Sequence, residues 1–261
     1  MKGIFKFISL IFLYTHLFAP AQVVAQDDYM DLLLLYVDEK YDVCFHKSIK
    51  YTEKDKTKKD PLPYLYGSMA AFEMSQDHKY TNMYPKAFKT ALSYLSKYRK
   101  KDKGFEFKED AEAFIEKIKM IIAEEIENYM TEGTESTHGK AAGIAKKICS
   151  IDPQDYGCKL LYGHLCNLTK NRATAKEYIK PSLIYIDSIP DKKFIFENMT
   201  FSQQHYLKFA LMEMAKYQKN KNIIKAQTTL EMGKSLFYVK RDDCKLEDNG
   251  DFIALYDEVF N

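Results

Sequence analysis

The sequence predicts an all-α chain folded as an α-α superhelix of stacked helical hairpins. Three observations carry that expectation. Ten glycines and seven prolines in 261 residues are too few to punctuate a sandwich of short strands. Phe114, Ile118, Ile121, Ile122, Ile126 and Met130 recur at helical spacing, the stripe of an amphipathic helix. Small residues mark successive segments at Ala141, Pro153, Gly163 and Ala175, so that Ala141 to Ala175 spans thirty-four residues, a period in the range of repeat architectures.

The elements follow in order. Residues 1–25 carry Lys2 and Lys6 ahead of an apolar run from Phe7 to Phe18, then Pro20 and an Ala-rich stretch. This is the layout of a secretory signal peptide, its apolar core too short for a span, with a cut expected after Ala25 or, alternatively, after Ala21. From Asp28 two helical segments break near Glu39-Lys40, and the Lys/Asp-rich linker KDKTKKD ends at Asp60-Pro61. PLPYLYGSMAAFEMSQ starts a helix with prolines where a first turn accepts them. QDHKYTNM connects it to YPKAFKTALSYLSKYRKK, and a longer helix covers EDAEAFIEKIKMIIAEEIENYM. THGKAAGIAKKICSIDP is the next, with Gly133 and Gly139 assigned to the break before it and Pro153 after it. YGCKLLYGHLCNLTK and ATAKEYIKPSLIYI form a further hairpin whose second member Pro181 should kink or shorten. Pro190 to Thr200 reads as irregular. SQQHYLKFALMEMAKYQ and IIKAQTTLEMGKSLF are the last pair, followed by a tail with the apolar piece FIALYDEVF. The predicted organisation is a signal peptide at 1–25, degenerate helix pairs and the long helix at 26–131, further pairs at 132–237 and a tail at 238–261.

The thirty-four-residue spacing, with Asp152-Pro153 closing one helix and Tyr162-Gly163 inside the next, resembles the tetratricopeptide repeat. The resemblance is best over residues 139–184. Tyr66-Gly67 and Tyr84-Pro-Lys-Ala87 repeat the features, but Gly67 to Ala87 is twenty residues instead of twelve, which calls for a longer connection. Cys44 and Ala226 hold the small-residue places of the first and last pairs, and no tryptophan occurs. The resemblance implies a concave groove lined by the first helix of each pair, which takes a peptide segment of a protein partner. Helical spacing puts Tyr64, Ser68, Ala71 and Phe72 on one face, and Leu160, His164, Asn167 and Leu168 on another, opposite Gly67 and Gly163. Of these, Tyr64, Ser68, Phe72, Leu160, His164 and Asn167 are the expected partner-binding residues.

Chemistry-bearing patterns point away from an enzyme. Cys149 to Asn167 holds three cysteines and a histidine, yet Cys158 and Cys166 lie about 12 Å apart along one helix and His164 points about 200° away from Cys166, too scattered to share a tetrahedral metal. There is no Cys-x-x-Cys, nucleophile elbow, zinc-protease motif or phosphate loop. No cofactor is expected. A disulfide joining Cys149 to either Cys158 or Cys166 stays open, since the two helices are antiparallel neighbours. Without Lys2 and Lys6 the net charge falls from +2 to about zero, which demands no nucleic acid and no anionic membrane. Charge is nevertheless lopsided: residues 86–103 carry net +6 and residues 105–132 net −6. Neighbouring helices that neutralise each other, or a basic patch for an acidic partner, would both fit, and packing of sequential helices favours the first. The expectation is an exported, periplasmic, non-enzymatic scaffold for a protein partner of the bacterial cell envelope, without a membrane span once the leader is removed. A small-molecule or glycan binder of a nutrient-uptake system is the alternative.

Overall fold

Helix is the regular structure throughout, apart from one 3-10 turn, in the residues that the structure, a computed structural model, describes: 29–188, 198–238 and 249–261. The expected leader, most of the segment 190–200 and the first part of the tail lie outside the described residues. Among the described residues eleven helices follow one another: α1 (Met30–Val37), α2 (Tyr41–Glu53), α3 (Leu62–Gln76), α4 (Ala87–Lys101), α5 (Lys108–Glu132), α6 (Glu135–Ile151), α7 (Tyr156–Leu168), α8 (Arg172–Asp187), α9 (Phe201–Lys219), α10 (Ile223–Phe237) and α11 (Gly250–Phe260). They pack mostly on sequence neighbours, as helical hairpins in a superhelix.

Local chemistry sets the breaks. Glu39 takes a left-handed φ of 58° between α1 and α2. Gly133 ends α5 at φ 67°, where a side chain would be strained. Thr134 then opens α6 with a capping box to Thr137. Asp155, Asn171, Thr200 and Asn222 cap α7 to α10 with side-chain oxygens. The connection QDHKYTNM contains a 3-10 turn at His78–Tyr80.

Two readings need correction and one is extended. Gly139 lies inside α6, not in the break before it, because the Thr134 cap starts the helix earlier. Of the two effects expected of Pro181, shortening does not occur, since α8 runs on to Asp187; the proline and Glu177, whose carbonyl loses its partner, both sit on the exposed side where water can serve. The tail ends in a packed helix, with Phe252, Leu255, Tyr256 and Val259 of α11 buried against α9 and α10.

Small residues let helix axes approach at the crossings. A Cβ on Gly67 would stand 2.5 Å from Ser48 Oγ and 2.9 Å from the Tyr94 ring, and one on Gly163 would stand 2.7 Å from Ile179 Cγ1 and 3.0 Å from its backbone N. Tightest of all is Gly157, where a Cβ would come within 2.4 Å of the Leu207 backbone N. The thirty-four-residue pattern had not singled out Gly157.

The two oppositely charged segments do not neutralise each other. α4 packs against α3 and α6, whereas α5 packs against α6 and α9, and among the described residues no ion pair joins 86–103 to 105–132. Arg99 is buried and donates from Nε to Ile151 O at 2.9 Å, tying the end of α4 to the end of α6. Glu116 of α5 accepts from the backbone N and the hydroxyl of Ser202 at 2.5 and 2.7 Å, so one acid is spent on the N-terminus of α9, where the helix dipole favours a carboxylate.

Candidate functional site

The expected groove residues are mostly interior. Tyr64, Ser68, Phe72, Leu160 and His164 are buried, and only Asn167 is half exposed. Tyr64 donates to Lys58 O at 3.0 Å and Ser68 to Ala91 O at 2.7 Å. Phe72 meets Phe114 edge-on at 5.7 Å, and His164 meets Tyr217 at 5.6 Å. Burial pushes the His164 pKa down to about 4, helped by the charge of His138, so the ring is neutral at pH 7. The reason is positional. α3 lies between α2 and α4, and α7 is enclosed by α6, α8 and α9, so neither helix keeps a free face. The signal for this was present: Glu73 is the only Asp, Glu, Lys or Arg in α3, and Lys159 the only one in α7, the mark of a helix covered all round.

Sequence reasoning also passed over a buried polar cluster. Lys119 of α5 is 1 % exposed, and its Nζ lies 2.7 Å from Asp152 Oδ2 and 2.9 Å from Asp155 Oδ2 in the α6–α7 connection. Gln203 of α9 donates to the same Asp152 oxygen at 3.0 Å, and Asp155 Oδ1 accepts from Cys158 N at 2.8 Å. Burial opposes the charge on Lys119, but the two carboxylates outweigh it and hold the ammonium above its usual range. Burial likewise opposes ionisation of Asp152, yet Lys119 keeps it below the usual carboxylate value. For Asp155 burial wins and pushes the pKa up to about 6. The cluster joins three helices and one turn and works as a clamp.

On the outside, His205 and Glu127 form a 2.5 Å pair beside a shallow crevice with Ile121 and Glu124. Among the described residues, no group of three His, Cys, Asp or Glu is placed to hold a metal ion.

A cationic stripe runs along the outer face of α4. Lys86, Lys89, Lys97 and Lys100 are all exposed and follow one another at steps of three, eight and three residues, a single stripe about 21 Å long. Exposed Ser93 sits in the gap. Among the described residues none of these lysines has a carboxylate within ion-pair distance. Lys147 of α6 stands beside the stripe, and its pKa is lowered mainly by burial and further by the charge of Lys89. Lys101 and Lys97 lie over the rings of Tyr64 and Tyr94 at 5.8 and 5.0 Å. Next to the start of α4, Phe45, Met74, Met83, Tyr84 and Pro85 line an open crevice of about 340 Å³. At its rim exposed His46 hydrogen-bonds the Tyr84 hydroxyl at 2.9 Å.

Comparison of the chain with protein-family models, with curated proteins and with solved structures gave no match.

Proposed function

We propose that this chain is an exported, non-enzymatic binding scaffold of tetratricopeptide-like helical hairpins, and that its partner is a protein of the bacterial cell envelope. The observation that carries the reading is the cationic stripe on α4. Four lysines in line, unneutralised by the acidic helix next in sequence and flanked by a crevice with apolar side chains, suit an acidic protein segment that anchors an apolar side chain beside its charges. The leader-like layout of residues 1–25 supports export. The hairpin superhelix supports a scaffold role, since such stacks present long surfaces without a catalytic centre of their own. Charge attraction of this kind mainly sets encounter rate and partner choice.

The test is affinity capture from an envelope fraction with the purified chain and with a variant carrying Lys86→Glu, Lys89→Glu, Lys97→Glu and Lys100→Glu. A stoichiometric protein held by the parent, weakened at least tenfold by the variant and by raised salt, supports the reading. A partner held equally by both would move the site elsewhere, and a thermal shift with a sugar or other small molecule, without a protein partner, would replace the scaffold by the ligand-binding alternative.

A further inference from the structure

Cys149 lies in the last turn of α6 and Cys158 in the first turn of α7, and their sulfurs stand 3.7 Å apart. We propose that these two thiols are a redox pair that closes into a disulfide and staples the α6–α7 turn. A disulfide places the sulfurs about 2.05 Å apart, so from 3.7 Å each needs a shift of about 1 Å. The turn between them is already held in register: Asp155 caps Cys158, and Lys119 clamps Asp152 and Asp155. Cys166, two turns further along α7, is engaged instead with Tyr162, which leaves Cys158 as the nearer partner.

The oxidant is a disulfide of a small molecule or a protein, and the chemistry is exchange. Cys149 is the more exposed of the two, at 9 % against 0 %, so it reacts first. Its thiolate attacks one sulfur of the oxidant, the oxidant's S–S bond breaks, a mixed disulfide forms and one thiolate leaves. Cys158 then gives up its proton and displaces the second thiolate. Two protein thiols are oxidised and one external disulfide is reduced to two thiols. Burial holds the Cys158 thiol far above its ordinary pKa, so the second step is slow in the closed fold and faster while α6 and α7 are still assembling.

The main readout uses the unsubstituted chain, and one variant supports it. The full chain is incubated with oxidised and reduced glutathione, both folded and during refolding from denaturant, then acid-quenched, alkylated and cut with trypsin at Lys147 and Lys159. Both cysteines fall on the one peptide 148–159, so closure is read as a loss of two hydrogens within it. The expected result is that most of this peptide closes under oxidising mixtures, that the oxidised chain melts several degrees above the reduced one, and that Cys158→Ala leaves Cys149 bearing glutathione. Thiols that stay open to alkylation after both treatments would overturn the proposal. So would a link from peptide 148–159 to the one beginning at Leu160, which would show that Cys166 is the partner.

Discussion

Lys119 enters the interior facing two carboxylates, so the buried cluster holds one positive charge against two negative ones if both acids ionise. The asymmetry falls on Asp155. Its Oδ2 receives no well-aligned hydrogen bond although the ammonium lies 2.9 Å away, and charge attraction at that distance only partly offsets full burial. A carboxyl whose folded pKa is raised contributes stability that is fully present below its unfolded value of about 3.9 and is lost as pH rises through the folded value. For Asp155 that value is about 6. Asp155→Asn cannot ionise, keeps the oxygen that caps Cys158, and leaves Lys119 paired one to one with Asp152. The stability of the parent minus that of the variant should therefore fall by roughly 1–3 kcal/mol between about pH 4 and pH 7, measured by urea unfolding across that range. A difference that is flat, or that grows with pH, would mean that Lys119 keeps Asp155 ionised throughout. Asp152 and Lys119 have the opposite tendencies. Depression of the Asp152 pKa adds stability above about pH 4 that is lost on further acidification, and elevation of Lys119 adds stability that is lost only at strongly alkaline pH.

Helix crossings decide how the elements stack, and glycine is used there for space. Ala forms helix better than Gly by about 1 kcal/mol, so an exposed helical glycine such as Gly143, which has nothing within 4 Å of a Cβ, should be improved by Gly143→Ala by about 0.5–1 kcal/mol. Gly163→Ala should instead destabilise by roughly 1–3 kcal/mol, and Gly157→Ala by at least as much, because the new carbon meets backbone of the facing helix that cannot rotate away. Chemical denaturation of the three variants checks the order, and equal behaviour would remove close approach as the reason for these glycines. Some element boundaries were legible because their causes are local: the break near Glu39-Lys40, Asp60-Pro61 before α3, and Asp152-Pro153 after α6; the start of α6 was not, since the Thr134 cap sets it ahead of Gly139. Orientation was less so. Spacing alone says which residues share a face, not which neighbour covers it, and for Tyr64, His164 and the others that depended on α2, α6 and α9 arriving from elsewhere in the sequence. The basic stripe on α4 was visible as net charge, but whether α5 would cover it depended on a packing choice that sequential order misjudged.

A stack in which each hairpin touches mainly its neighbours should hold stability locally, as a chain of interfaces and not a single core. The last interface is made by α11. Phe252 is fully buried, meets Phe237 at 5.4 Å and closes over Gly233. Around it Asp251 pairs with Lys208 at 3.2 Å, and Glu258 pairs with Lys219. The helix thus covers apolar side chains of α9 and α10 that would otherwise face water, the role of a terminal cap in repeat proteins. Phe252→Ala removes a large buried ring and should cost roughly 3–5 kcal/mol at that end. The loss should not spread evenly. Backbone hydrogen exchange in α10 and α11 should accelerate most and α9 less, because it is also held by α5 and α7, while α2 and α3 at the other end should change little. Equal acceleration in α3 and α10 would show that the molecule unfolds as one unit, and the nearest-neighbour picture would then fail even though every helix is in place.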